Sequence, residues 1–232
     1  MTWSLLARDP ATGELGVAVA TRFFAVGALC SRAEGGVAAL ATQALINPML
    51  GLRGMEAMRR GADPGELVAR LLEGDAGREV RQLHILATDG RSARHTGAGC
   101  VGWCGHLEGP ECSLAGNMLA GEAVLAETRA AFLAATGPLP DRMLAAMEAG
   151  EAAGGDSRGR QSAALVIASR DPYPDLDIRA DDHADPLAEL RRLLAVARER
   201  YLPFRRFLAG ADHPGVFDRA VIEAALAAEA RP

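Results

Sequence analysis

The sequence contains no lysine, and all 25 of its basic residues are arginines. Mechanisms that need a lysine are therefore excluded, including a Schiff base, a phosphate-binding P-loop and a serine–lysine pair. Aromatic residues make up only 4% of the chain, too few for the stacking surfaces that bind single-stranded nucleic acid. The net charge of -5 also argues against broad binding to nucleic acid or to an anionic membrane.

Long apolar runs are also missing. None reaches the roughly 18 residues of a membrane span, and the opening MTWSLLARDP lacks the basic and apolar regions of a signal peptide. We therefore expect a cytoplasmic protein whose four cysteines are thiols. The 49% apolar and 24% charged residues are typical of a globular chain that needs neither a disulfide nor a metal to stay folded.

The hydrophobic periodicity alternates between groups of strands and pairs of helices. Thr2–Arg8 and Glu14–Thr21, joined by a turn containing Pro and Gly, are predicted to be adjacent antiparallel strands. The other predicted strands are Ala25–Arg32, Gly36–Thr42, Gln82–Thr88, Ser92–Thr96, Val101–His106, Ser113–Gly116, Arg160–Ser169 and Asp175–Ala180. The predicted helices are Gly51–Arg60, Pro64–Glu73, Gly121–Thr136, Leu139–Glu151, Asp185–Tyr201 and Pro214–Glu229. This order indicates a layered α+β domain over residues 1–203, followed by a helical appendage over 204–232.

Four residues carry side chains of the kind that bind zinc, but not at the usual spacing. They are Cys100, Cys104, His106 and Cys112. Structural zinc sites favour paired C-x2-C knuckles, whereas these residues are irregularly spaced on predicted strands. We expect no metal and no other cofactor, and a zinc-stabilised module is kept as the third hypothesis.

A polar run over residues 154–162 precedes the clearest buried strand. It contains Asp156, Arg160 and Gln161. Such a run is either a flexible surface loop or a binding site for an anionic or carboxylate group, which arginine recognises well. It resembles neither a P-loop nor a dinucleotide-binding motif.

Two further polar residues lie where predicted strands end. Asn117 would either cap the next helix or donate its amide to an oxyanion. His95 is included among the candidate substrate-binding residues, although a lone histidine is more often structural. No serine lies in a G-x-S-x-G motif, so a Ser-His-Asp hydrolase has little support.

Thr2 follows the initiator methionine and begins the first predicted strand. Threonine is small enough for methionine aminopeptidase to remove Met1, which would leave the hydroxyl beside a free α-amine. An α-amine has a pKa of about 7.7–8.0, so it can act as a base near neutral pH. A threonine and its own amine form a known nucleophile–base pair.

Several stretches together resemble domain-of-unknown-function family 1028, which is grouped with the N-terminal nucleophile (Ntn) hydrolases. They are TWSLLARDPATGELGVAVATRFFAVGA, ATQALINPMLG, RQLHILATDGR, HTGAGC, GNMLAG and GGDSRGRQSAAL. The resemblance covers about residues 2–200. It implies a four-layer αββα sandwich, similar to proteasome β-type subunits, with the N-terminal residue at the end of a central strand.

The resemblance also implies roles for individual residues. Thr2 would attack an amide, the backbone around Gln43 would bind the oxyanion, and Asp156 would steady the N-terminus. Proteasome-type sites use a lysine that this chain lacks. Arg22 or Arg32 could supply positive charge there, but an arginine cannot act as a base.

The leading hypothesis is an Ntn-type amidohydrolase for a small amide or peptide-like substrate. The Thr2 hydroxyl would attack the carbonyl, with its amine as proton shuttle and Asn117 as a second oxyanion contact. Asp156 and Arg160 would orient the N-terminus or a substrate carboxylate. The alternative is a non-catalytic ligand-binding or scaffold protein that retains the fold.

We also expect a homodimer. The C-terminal helices carry more apolar side chains than a solvated tail needs, among them Leu193, Leu194, Phe204, Phe207 and Phe217. Packing of these side chains on the chain's own core would explain the same residues.

Overall fold

The computed structural model describes residues 2–229, which form two antiparallel β-sheets and several helices. The strands are β1 (Thr2–Asp9), β2 (Glu14–Thr21), β3 (Ser31–Glu34), β4 (Ala38–Ala44), β5 (Arg81–Ala87), β6 (Ser92–Thr96), β7 (Trp103–Gly109), β8 (Cys112–Leu119), β9 (Ser162–Ala168) and β10 (Leu176–Ala180). The helices are α1 (Pro48–Arg59), α2 (Pro64–Glu73), α3 (Ala123–Ala134), α4 (Leu139–Ala152), α5 (Pro186–Val196), α6 (Leu202–Arg205) and α7 (Arg219–Glu229). The predicted α+β class is confirmed.

The strands divide into a six-stranded sheet, in the order β10-β9-β2-β1-β8-β7, and a four-stranded sheet, in the order β3-β4-β5-β6. Strand β1 lies in the middle of the larger sheet, between β2 and β8. It pairs antiparallel with β2 from Trp3↔Ala20 to Asp9↔Glu14, as predicted. Gly13 ends the connecting turn with a φ of 76°, a left-handed conformation that favours glycine.

Each sheet packs against its own helices. Helices α1 and α2 contact β3 to β6, whereas α3, α4 and α5 contact the strands of the larger sheet. Because side chains alternate along a strand, Leu5 of β1 lies in the cluster with α3 and α4, whereas Leu6 faces the other sheet. In the same way, Leu83 and Ile85 of β5 pack against α1 and α2.

The space between the two sheets is apolar over part of its area and polar at one end. Its apolar cluster includes Leu6, Val17, Ala39 and Leu86. Its buried polar side chains are Thr2, Ser4, Thr21, Gln43, Gln82, His84, Ser113 and Asn117. Buried polar groups need hydrogen-bond partners at set distances and angles, so the polar end requires a specific geometry that the apolar end does not.

The predicted strand Ala25–Arg32 is wrong over most of its length. A 3-10 turn occupies Val26–Ala28 after a left-handed Ala25, and the strand begins only at Ser31. Local bonds from Ala28 N to Ala25 O (3.1 Å) and from Cys30 N to Val26 O (3.0 Å) replace a strand ladder. Apolar composition alone does not distinguish such a buried turn from a buried strand.

The predicted helix Asp185–Tyr201 is also interrupted. Helix α5 ends at Val196, and a π-turn over Ala197–Tyr201 leads into α6. Pro203 lies in α6 and has no N–H to donate to the carbonyl four residues earlier, so the regular α-helical pattern is broken there. Within residues 2–229, no helix has both the length and the apolarity needed to cross a membrane.

The C-terminal segment packs in part on the rest of the chain. Phe207 and Ile222 are buried, whereas Phe217 is 89% exposed. The hydroxyl of Tyr173 donates to the carbonyl of Ala209 at 2.5 Å. Self-packing therefore explains much of the apolar content of this segment but not Phe217. The proposed domain boundary at residue 203 stays a prediction, and residues 230–232 of the appendage lie outside the described residues.

Candidate active site at the start of the first strand

Thr2 is the first residue of β1 and is 7% exposed. On one side β1 pairs with the end of β2, and the Thr2 hydroxyl donates to the hydroxyl of Thr21 at 3.2 Å. On the other side Thr2 is directly opposite Asn117 of β8. The central position of β1 therefore places Thr2 between two fixed strands. A free Thr2 amine depends on the removal of Met1. That residue lies outside the described residues, so its removal stays a prediction.

Two side-chain amides hold the backbone of Thr2. Gln43 Nε2 and Asn117 Nδ2 each donate to the carbonyl oxygen of Thr2 at 3.3 Å. The same two nitrogens donate to Gln82 Oε1, at 3.0 Å and 2.9 Å. An amide nitrogen carries only two hydrogens, so both donors of Gln43 and of Asn117 are used in fixing Thr2.

Gln82, which the sequence analysis did not single out, sets the orientation of both amides. Its own nitrogen donates to the carbonyl of Gly116 at 2.7 Å and to that of Gly105 at 3.2 Å. Carbonyl oxygens only accept, so the Gln82 oxygen must face the other way, toward Gln43 and Asn117. Those two residues must then present their nitrogens to it.

The same reasoning determines the protonation of His84. The oxygen of Gln43 accepts from the Ser4 hydroxyl at 2.6 Å. Because Ser4 has only one hydrogen, it must accept from Nε2 of His84 at 2.8 Å, and Nδ1 then accepts from Ser113 at 3.0 Å. Complete burial lowers the pKa of His84 to about 3, so the ring is neutral at pH 7 with its hydrogen on Nε2.

Asp156 fastens the end of β2 next to Thr2. Its buried carboxylate accepts from the backbone N–H of Arg22 at 2.6 Å and from that of Arg158 at 2.9 Å. The guanidinium of Arg22 in turn donates to the carbonyl of Arg158 at 2.7 Å. Asp156 also forms an isolated bridge with Leu119, the last residue of β8. The loop thus joins both strands that flank β1.

The structure brings only some of the predicted site residues together. Gln43 and Asn117 each contact Thr2 directly. Arg22 directly follows Thr21, and its backbone N–H donates to Asp156. The other three bond elsewhere. Arg160 forms ion pairs with Glu151 (2.8 Å) and Asp185 (2.7 Å), Gln161 donates to Asp182 (3.2 Å), and His95 Nε2 lies 2.8 Å from the carbonyl of Arg78.

Two neighbouring cavities meet at Ala44 and Leu45. The first, of about 170 Å³, is lined by Thr2, Gln43, Ala44, Leu45, Phe23, Phe24, Ala25, Val26, Leu29, Cys30 and Ile46. The second, of about 320 Å³, is lined by Asn117, Ala44, Leu45, Val80, Gly99, Cys100, Val101 and Met118. Thr2 therefore lies in the wall of a small, mainly apolar cavity.

The cavity walls contain strained backbone. Ala25, Ala44 and Met118 have φ values of 51°, 69° and 52°, and among residues 2–229 only one other non-glycine residue has a positive φ. Such conformations cost about 1–3 kcal/mol and persist where the surroundings fix them, commonly at functional sites. Here the next residue, Leu45, donates to the carbonyl of Val80 at 3.1 Å and accepts from the guanidinium of Arg81.

The opposite wall of the first cavity is held by one buried hydroxyl. Ser162 Oγ donates to the carbonyl of Phe23 at 2.5 Å and accepts from the N–H of Val26 at 3.1 Å. These bonds fix both ends of the Phe23–Val26 segment, in which Ala25 is left-handed. Both walls of the cavity are therefore set by hydrogen bonds from β5 and β9.

The cysteines are thiols in this structure. Burial raises the pKa of Cys30 to about 12 and that of Cys112 to about 11, and it also raises the pKa of Cys100. No group of three or more His, Cys, Asp or Glu side chains within the described part of the chain could hold a metal ion. Metal analysis of the purified protein remains the test of the zinc hypothesis.

Fold and site together describe an α+β protein with two antiparallel sheets and a buried threonine beside a cavity. The chain belongs to a family of unknown function, DUF1028, whose sequence model matches residues 2–190. Among solved structures, protein SPO2555 from Silicibacter pomeroyi, of the same family, is 31% identical with a TM-score of 0.87. That match covers 94% of this chain and 96% of the other.

A second solved structure, Anbu (ancestral beta-subunit) from Yersinia bercovieri, is 13% identical with a TM-score of 0.39. Its match covers 84% of this chain and 94% of that one. Comparison with curated proteins gives no match.

Proposed function

We propose that this chain is an Ntn-type amidohydrolase in which Thr2 is the nucleophile. The observation that carries the proposal is the placement of Thr2. It begins a central strand and lines a cavity, and separate partners hold its hydroxyl and its carbonyl. The helix and sheet contacts further support an αββα sandwich, the fold implied by the family resemblance.

The base in this proposal is the α-amine of Thr2 after removal of Met1. Among the described residues that line the cavity, Cys30 is the only one with a titratable side chain, and its pKa of about 12 makes it unsuitable. An α-amine titrates at about 7.7–8.0, close to the pH at which it must accept and return a proton.

The oxyanion contact comes from the main chain in this scheme. Gln43 and Asn117 use both amide hydrogens on Thr2 and Gln82, so we assign them to positioning Thr2. The remaining candidate is the N–H of Ala44, which lies in the cavity wall in a left-handed conformation. A backbone donor held rigidly in this way stabilises developing negative charge without reorganisation.

The reaction then has two steps. Thr2 Oγ attacks the amide carbon, the α-amine takes the hydroxyl proton, and the same proton passes to the departing amine as the C–N bond breaks. Water next attacks the ester, and its proton returns to Thr2 Oγ as the ester bond breaks. The products are a carboxylic acid and an amine.

The alternative is a non-catalytic binding protein with the same cavity. One observation favours it: no described side chain in the cavity wall can replace the α-amine as a base. Catalysis by Thr2 therefore depends wholly on the removal of Met1.

Intact-mass spectrometry, followed by labelling with an aliphatic β-lactone, tests the proposal. We expect a native chain without Met1 and a mass gain of one whole reagent on the Thr2 peptide, because ring opening releases no leaving group. Thr2→Ser should keep the label and Thr2→Ala should lose it, with the exposed Thr12 as an unlabelled internal control. Retained Met1, or equal labelling of Thr2→Ala, would favour the binding protein.

A further inference from the structure

The cavity beside Thr2 has no charged side chain in its described wall. Thr2 and Gln43 are its polar members, and the others are apolar side chains and the Cys30 thiol. With a pKa of about 12, that thiol is uncharged at neutral pH. The charged residue next to Phe23 in sequence, Arg22, bonds instead to the loop at residues 156–158, with its guanidinium donating to the carbonyl of Arg158 and its backbone N–H to the carboxylate of Asp156.

To act as the base, the Thr2 α-amine of the proposed function must be uncharged, so an ionised acyl group entering this cavity would lose water and meet no counter-charge among the described side chains. Transfer of an unpaired charge into apolar surroundings is strongly unfavourable, whereas an apolar group gains about 25 cal/mol for each Å² removed from water. The cavity therefore selects for an uncharged apolar group. Binding would also cover Phe23, Phe24 and Leu45, which are 61%, 62% and 65% exposed at its rim.

The volume sets the size of that group. The cavity measures about 170 Å³, and an apolar cavity of about 150 Å³ holds one benzene molecule. A phenyl ring or a branched aliphatic group of about six carbon atoms therefore fits. Because hydrogen bonds to Ser162 and around Leu45 fix the walls, the cavity exists before the ligand arrives.

We infer that this cavity is the acyl-group subsite, and that the substrates are amides of small, uncharged, apolar carboxylic acids. The inference rests on the proposed function, since it assigns the cavity to the acyl side of the bond that Thr2 attacks. It narrows the substrate class by excluding acyl groups that end in a carboxylate or an ammonium group.

The test is binding of three amides of similar length, followed by two-dimensional NMR of backbone N–H signals. The probes are 4-methylpentanamide (neutral), succinamate (anionic) and 4-aminobutanamide (cationic). We expect the neutral amide to shift the signals of Ala25, Val26 and Ala44, and to bind at least ten times more tightly than either charged amide. Equal binding of the three, or binding elsewhere, would overturn the inference.

Two variants make the test specific to the cavity. Leu29→Glu places a carboxylate in the wall and should weaken 4-methylpentanamide binding at least tenfold. The matched control is Leu133→Glu, because Leu133 is 47% exposed on α3 and Leu29 is 45% exposed. Phe24→Ala removes an exposed ring without affecting the core and should weaken binding several-fold. Unchanged binding in both cavity variants would contradict the assignment.

Binding needs no turnover, so the inference and the proposed function can fail separately. If 4-methylpentanamide binds at the cavity but the β-lactone does not label Thr2, the apolar subsite stands and the hydrolase proposal fails. If Thr2 is labelled but no neutral amide binds, the subsite fails. If the cavity signals move on dilution instead, the Phe23 and Phe24 surface is an interface between copies and the inference is overturned.

Discussion

The carboxylate of Asp156 accepts a 2.6 Å hydrogen bond from the backbone N–H of Arg22, a residue 134 positions earlier in the chain. Arg22 directly follows Thr21, whose hydroxyl bonds to that of Thr2. The loop before β9 therefore restrains the strand end against which Thr2 lies. A short hydrogen bond from a backbone N–H to a carboxylate is among the stronger hydrogen bonds in proteins.

Asp156→Ala should destabilise the protein because it removes the buried carboxylate that accepts from the N–H groups of Arg22 and Arg158. We expect the free energy of unfolding to fall by about 1–3 kcal/mol, and the N–H of Arg22 to exchange faster with deuterium. Urea unfolding and hydrogen exchange measure the two effects. The control is Asp182→Ala, at an exposed residue, and an equal loss in both variants would contradict the assigned role.

Gln82→Leu should be destabilising although leucine is apolar and similar in size. Gln43 and Asn117 would each lose an acceptor in a place that water does not reach, at about 1–3 kcal/mol for each unpaired group. Urea unfolding should show the loss. Gln161→Leu, on the surface, should change stability by less than about 0.5 kcal/mol.

Stability should fall on acidification because His84 is buried as a neutral ring. Its pKa is lowered from 6.5 to about 3, so between these values the unfolded chain binds a proton that the folded chain does not. This one group should lower the free energy of unfolding by about 1.4 kcal/mol for each pH unit below 6.5, down to about pH 3. Above pH 6.5 it should have no effect.

Urea unfolding at several pH values measures that slope. Carboxylates also titrate in this range, so His84→Gln is the reference, because glutamine has no ionisable group. Between pH 6.5 and 3, the free energy of unfolding of this variant should fall less steeply than that of the natural chain, by about 1.4 kcal/mol for each pH unit. Equal slopes in the two proteins would show that His84 does not carry the pH dependence.

Ala44→Gly should leave the free energy of unfolding nearly unchanged, whereas an alanine-to-glycine change in a helix should lower it. Glycine adopts the left-handed conformation at φ 69° without strain, which stabilises the folded chain. Its greater conformational freedom stabilises the unfolded chain, and the two effects should nearly cancel. The matched control is Ala130→Gly, on the exposed side of α3, which should cost about 1 kcal/mol. Thermal unfolding compares the two, and a larger loss at Ala44 would contradict the strain argument.

The homodimer remains a prediction. Light scattering at micromolar concentration should give a mass near twice the 24.3 kDa of one chain. If the C-terminal segment forms the contact, Phe217→Ser should return the mass to that of a monomer, because Phe217 is the most exposed large apolar side chain among residues 2–229. A monomeric natural chain would reject the dimer, and a dimeric Phe217→Ser would place the interface elsewhere.

The amino-acid sequence by itself determined most of the local elements. The β1–β2 hairpin follows from alternating apolar residues around a turn with Pro10 and Gly13, and it pairs as predicted. Both helices of each pair follow from 3.6-residue periodicity with Pro64 and Pro138 near two of the starts. These features depend on neighbouring residues, so a single sequence suffices to predict them.

Only the tertiary structure decided which polar residues share a site. Gln82 and His84 lie two apart on β5, and that spacing was the one available signal that both face the same side. The residues near them in sequence do not indicate that this side contacts Ser4, Gln43 and Asn117, which lie on other strands. Arg160 was predicted to belong to the site, but it forms ion pairs with acidic residues on α4 and just before α5 instead.

The turn at Val26–Ala28 and the left-handed Ala44 have the same origin. Their conformations are locally unfavourable or ambiguous, and distant groups stabilise them, namely the Ser162 hydroxyl and the Arg81 guanidinium. Contacts between residues far apart in the chain are invisible to local propensity. The sequence therefore specified the strands that carry Thr2, whereas the packing of the two sheets made the cavity beside it.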